Sequence, residues 1–148
     1  MFSDSSNPQA DTGRYGGYTS LTPHIIVSPA REAVDFYCRI FSARLLSRTD
    51  VSDRVLRALL GFGQGKLTLS DPFGEADMVT AGDYVKTGYS LAVYVPNVDE
   101  AISAALEAGA QLQEPVETFV SGDRYASIID PFGVRWSVLT RIEDMFRT

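Results

Sequence analysis

The chain has 148 residues, 45% of them apolar and 22% charged, enough for one domain with a buried core. Its net charge of −6, from 19 acidic against 13 basic side chains, argues against a phosphate backbone as partner and favours a cationic small ligand over an anionic one. No apolar run approaches the roughly 20 residues that cross a bilayer, and a single cysteine, Cys38, cannot close an internal disulfide. The expectation is a cytoplasmic protein that engages neither nucleic acid nor membrane.

Residues 1–20 are polar and lack the apolar core of a secretory signal, so they read as a flexible arm carrying Tyr15 and Tyr18. The domain is expected over residues 21–148. Residues 22–27 form a short β-branched run that ends at Ser28-Pro29, which predicts a helix with Ser28 as N-cap and Pro29 in the first turn. Three-to-four spacing then puts Ala33, Phe36, Tyr37, Ile40 and Phe41 on one buried stripe. Cys38 lies beside that stripe with nothing near it in sequence to activate its thiol. Strand patterns follow at residues 43–49, 55–62 and 66–70. Module one is thus β-α-β-β-β over about 21–71, and residues 72–88 form a linker.

Residues 90–95 open a second module, about 89–141. Asn97 with Glu100 resembles a capping box, Ala101, Ile102, Ala105 and Leu106 are expected to be buried, and Gly109 stops the helix. Strands are expected at 110–119, 124–130 and 134–140, the parity of 124–129 being undetermined. Val27 matches Val95 and Ala33 matches Ala101 at one offset of 68 (95−27 and 101−33), evidence for a duplicated unit. The tetrapeptide Asp-Pro-Phe-Gly at 71–74 and 130–133 breaks that offset, so its two copies are read as separate turns made by Pro and Gly.

Two such modules, the helix stretch AVDFYCRIFSA and the terminal stretch GDRYASIIDPFGVRWSVLT together resemble the glyoxalase/bleomycin-resistance (vicinal oxygen chelate) superfamily, in its PhnB-like branch. The branch usually has Gly where this chain has Ser42. The resemblance implies an α+β fold in which two tandem βαβββ modules curl around a U-shaped cavity. It also implies a homodimer, since an open strand edge is a liability that proteins cover. Metalloenzymes of the family hold their ion from the first and last strand of each module. The corresponding positions here are Thr22, Thr68, Ser90 and Ser137. Neutral hydroxyls do not replace the imidazole and carboxylate donors such an ion needs. The only histidine, His24, lies two residues from Thr22, and no carboxylate is visible to join it.

Strand alternation predicts that Thr22, His24, Arg57, Leu59, Thr68, Ser70, Ser90, Ala92, Tyr94, Arg135 and Ser137 face the cavity, while Ile25, Val27, Leu67, Leu69, Leu91, Val93 and Trp136 face the helices. The expected ligand-binding set is Thr22, His24, Arg57, Thr68, Ser90, Tyr94, Arg135 and Ser137, with no metal and no cofactor. His24 is equally readable as a structural histidine, and Arg57 and Arg135 as side chains reaching for solvent. Three functions fit: a metal-free protein that sequesters or carries a small organic ligand, as antibiotic-resistance members do; an enzyme of the same fold, with displaced metal ligands or with His24 as acid–base catalyst; and an interaction module without ligand. The first needs no catalytic group and is the expectation.

Overall fold

The computed structural model describes residues 19–74 and 88–143. Most of the expected arm and linker, with Tyr15 and Tyr18, lies outside those residues. The first half runs β1 (His24–Ile26), α1 (Ala30–Phe41), β2 (Arg44–Val51), β3 (Arg54–Phe62) and β4 (Gly65–Ser70). The second runs β5 (Leu91–Tyr94), α2 (Val98–Glu107), β6 (Gln111–Thr118), β7 (Asp123–Ile129) and β8 (Arg135–Arg141). Each half makes one four-stranded sheet, in the orders β1-β4-β3-β2 and β5-β8-β7-β6. The fold is therefore the α+β duplication that the sequence pattern implies.

The repeat extends to the level of single hydrogen bonds. β1 runs parallel to β4 with His24 opposite Thr68, and β5 runs parallel to β8 with Ala92 opposite Ser137. Val27 N–H donates to the Ser70 carbonyl at 3.0 Å, and Val95 N–H to the Leu139 carbonyl at 2.8 Å. Even the irregularities recur: the ladder slips between Leu45 and Ser47 in β2, and between Leu112 and Glu114 in β6.

Every expected member of the α1 stripe is buried, as are Ile25, Val27, Leu67, Leu69, Val93 and Trp136; Leu91 is half-buried. Leu106, expected in the core, is exposed, because the buried face of α2 is made by Val98, Ala101, Ile102 and Ala105 and Leu106 lies beside it. The two halves meet in an aromatic seam. Trp136 of β8 packs against Phe41 at 4.7 Å and Tyr37 at 5.1 Å between ring centres, and Phe132 meets Phe36 at 6.0 Å. Such edge and tilted contacts suit the ring quadrupoles.

The helix starts divide between expectation and correction. Asn97 caps α2, its side-chain oxygen accepting from Glu100 N–H at 3.2 Å. Gly109 takes φ +106° directly after α2, where a side chain would be strained. The expectation of Ser28 as cap for α1 is wrong. Pro29 occupies the N-cap position and makes no side-chain cap bond. The cap comes from Asp71, which accepts Ala30 N–H at 3.0 Å and Val55 N–H at 2.7 Å. At the other end of α1, Ser42 sits in the left-handed region at φ 59°, the conformation that favours glycine there.

Both Asp-Pro-Phe-Gly segments do more than turn the chain, and they follow different strands, Asp71 after β4 and Asp130 after β7. Asp130 is buried in the seam. Its Oδ2 accepts Tyr37 O–H at 2.5 Å and Trp136 Nε1–H at 2.9 Å, and its Oδ1 accepts the Phe132 and Val134 N–H groups at 2.9 Å each. Burial pushes this carboxyl above the ordinary value of 3.8, against the pull of those four donors. Burial, with the Asp130 charge second, raises the Tyr37 phenol well above 10, so it remains a donor.

Candidate functional site

Because successive strand residues point to opposite sides, the face of each sheet turned away from its helix carries the candidate residues. On the first sheet, His24, Thr68 and Leu59 are aligned across β1, β4 and β3, and Thr49 pairs with Arg57 beyond them. His24 Nδ1 lies 2.7 Å from Thr68 Oγ1, and its Nε2 lies 3.2 Å from Ser70 Oγ. The imidazole is exposed and covers two buried hydroxyls. Two hydroxyls on the neighbouring strand thus orient the ring. Leu59, Thr68 and Ser70, expected to line open space, are buried instead.

Thr22 bonds to Thr19, hydroxyl to hydroxyl at 3.0 Å, and Ser90 Oγ lies 2.9 Å from Ser137 Oγ. The second pair brings together two of the four positions at which the resemblance would place metal ligands. With Thr68 on His24, all four hydroxyls are engaged in hydrogen bonds. Among the described residues no three His, Cys, Asp or Glu side chains gather as a potential metal site. The donor set at these four described positions does not fit the family's divalent ion.

The second sheet settles the parity of β7. Asp123, Tyr125, Ser127 and Ile129 share the face of Ser137 and Arg135, while Ala126 and Ile128 are packed into the core and Arg124 bonds Asp99 of α2. This face holds a group that alternation does not reveal. Glu114 Oε1 accepts Tyr125 O–H at 2.5 Å and Ser127 O–H at 2.9 Å. These two donors, the tyrosine first, hold the exposed Glu114 carboxyl below its ordinary value. Arg135 Nη2 stands 4.0 Å from the same oxygen. Tyr94 donates to Asp123 Oδ2 at 3.1 Å, and that bond is the chief cause of a raised phenol pKa.

A groove of about 430 Å³ follows the open edge of β5, between it and the end of the β3–β4 hairpin. Ser90, Ala92 and Tyr94 line it on one side, Gly65 and Lys66 on the other, over an apolar floor that includes Phe62 and Trp136. Of the expected ligand-binding set, Ser90 and Tyr94 line the groove. Ser137 is joined to it through Ser90, and Arg135 is one pair away on β8. Thr22, His24, Thr68 and Arg57 are not among its lining residues; His24 and Thr68 meet each other on the first sheet.

A family model described as Glyoxalase/Bleomycin resistance protein/Dioxygenase superfamily matches residues 18–138. The Mycobacterium tuberculosis protein Rv0887c, described as uncharacterised, is 31% identical over 134 residues, covering 88% of this chain and 79% of that one. Among solved structures, a glyoxalase family protein from Bacillus cereus superposes with a TM-score of 0.68 at 19% identity, covering 82% of this chain and 92% of that one. The PhnB protein from the same organism gives 0.63 at 16% identity, covering 82% and 99%. At those identities both likenesses concern the fold.

Proposed function

We propose that this chain, which belongs to the Glyoxalase/Bleomycin resistance protein/Dioxygenase superfamily, binds a small organic molecule without the help of a divalent ion. The observation that carries the reading is the 2.9 Å hydroxyl pair of Ser90 and Ser137. Two positions that would supply metal ligands in the family's enzymes instead bond to each other at the wall of an apolar groove. A groove of this size with a few polar groups suits a small ligand. Binding needs only that Ser90 and Tyr94 orient the molecule while Phe62 and Trp136 remove its apolar surface from water. In this reading the protein carries or sequesters its ligand in the cytoplasm, antibiotic sequestration being one such role. It acts as a homodimer that covers the exposed strands β2 and β6.

Native mass spectrometry with elemental analysis, on protein purified without chelator, tests this. The expected result is a co-purifying organic mass and no stoichiometric metal. Zinc or iron near one equivalent after dialysis overturns it.

One observation favours a second reading, an acid–base enzyme of the same fold. The His24 ring is held at both nitrogens by Thr68 and Ser70 on a rigid strand, which fixes its orientation as a catalyst would require.

A further inference from the structure

Three aromatic rings and one carboxylate meet on the open face of the second sheet. Tyr94 of β5 and Tyr125 of β7 both pair with Leu139 of β8, so the two phenols stand on one face with that leucine between them. Phe119, just past β6, joins them. Its ring centre lies 5.5 Å from that of Tyr125, and its N–H donates to the Asp123 carbonyl at 2.8 Å. Tyr94 and Phe119 are exposed, and Tyr125 and Leu139 are half-buried, so a molecule from solvent can reach all four.

Asp123 is the acid among them. It lies two residues before Tyr125 on the same face, and its Oδ2 accepts the Tyr94 O–H at 3.1 Å. Arg141, its partner across the ladder, bonds Glu143 instead, and no described Lys or Arg forms an ion pair with Asp123. A carboxylate has lone pairs on both oxygens, so Oδ1 remains able to face a cation. The surrounding field favours one. Residues 88–143 hold eight acidic side chains against three basic, whereas residues 19–74 hold five against seven. The faces of aromatic rings carry negative potential and attract an ammonium ion, and alkyl groups on the nitrogen pack against them.

We infer that Asp123 and these three rings form a cage for a small organic ammonium ion, with the charge at the carboxylate and the alkyl groups against Tyr94, Tyr125 and Phe119 over Leu139. The cage goes beyond the groove reading, because of its residues only Tyr94 also lines the groove.

The test is an NMR titration at constant ionic strength with choline, with its neutral analogue in which carbon replaces the nitrogen, and with potassium ion. Circular dichroism establishes first that each variant is folded. Choline should bind the wild-type protein at least about tenfold more tightly than the neutral analogue, and potassium at equal concentration should not displace it. Asp123→Asn should abolish that preference, and Phe119→Ala should weaken choline binding several-fold. Glu107→Gln, which removes an exposed acid at the end of α2, should leave it unchanged. Equal affinity for choline and the neutral analogue, displacement by potassium, or an equal effect of Glu107→Gln and Asp123→Asn overturns the cage. Absence of choline binding overturns it as well. None of these outcomes bears on the groove, whose test is the co-purifying mass and the metal content.

Discussion

Replacing Tyr37 by Phe isolates the bond that ties the two halves together. The ring keeps its packing against Phe41 and Trp136, and only the hydroxyl that donates to Asp130 Oδ2 is lost. Asp130 retains Trp136 Nε1–H and two backbone N–H donors. A hydrogen bond to a buried charged group contributes about 1.5–3 kcal/mol, so Tyr37→Phe should cost about 2 kcal/mol at neutral pH. At roughly 3 °C per kcal/mol for a chain of this length, Tm should fall by roughly 6 °C. The cost should also depend on pH. A carboxyl whose native pKa is raised contributes stability that is complete below the unfolded value of 3.8 and is lost as pH rises through the raised native value. The tyrosine bond opposes that rise, so without it the native value climbs further and the loss above it grows. Below 3.8 the acid is neutral in both proteins, and the hydroxyl is worth only about 1 kcal/mol. Urea melts of both proteins at pH 7 and at pH 3.5 measure the two differences. A cost below about 0.5 kcal/mol at pH 7, or one that is the same at both pH values, refutes the account of Asp130 as an ionised, donor-bound group.

Three other outcomes follow from named contacts. Ser42→Gly relieves the left-handed backbone at the end of α1 and should raise Tm by roughly 2–3 °C in a thermal melt. Asp71→Ala strips the Ala30 and Val55 N–H groups of their acceptor and should cost about 3 kcal/mol, read from urea denaturation. His24→Ala should lower Tm by no more than roughly 3 °C, because the ring is exposed and Thr68 Oγ1 also contacts the Pro23 carbonyl; a larger fall, with ligand affinity unchanged, marks the histidine as structural.

The strands, the helices and their duplication were legible because burial alone dictates them: alternation placed Leu67, Leu69 and Trp136 inward, and three-to-four spacing did the same for Phe36 and Tyr37. The polar contacts were legible only in part. Asn97 meets a partner three residues on, within reach of a local pattern, whereas Asp130 meets Tyr37 across 93 positions. In both Asp-Pro-Phe-Gly segments the Pro and Gly carry a local turn signal that hides the buried acceptor beside them. Ser28 looked like a cap because nothing in sequence announces Asp71, which comes from the far side of β4. Glu114 escaped notice because the ladder slips on either side of it, so counting along β6 loses the face. A parity that fails at a bulge is the signal to look for.

Trp136 is the only tryptophan of the chain, and it has two neighbourhoods. One side of the indole packs at a tilt in the seam with Phe41 and Tyr37, where its N–H is tied to Asp130; the residue also borders the groove. Its emission is therefore a single optical readout of two events. Separation of the halves strips the indole of Phe41 and Tyr37 and exposes it to water, shifting the spectrum to the red. A molecule entering the groove changes the intensity while the seam stays closed. The protein carries its own label, placed where docking of the halves and occupancy of the groove can be followed in one cuvette.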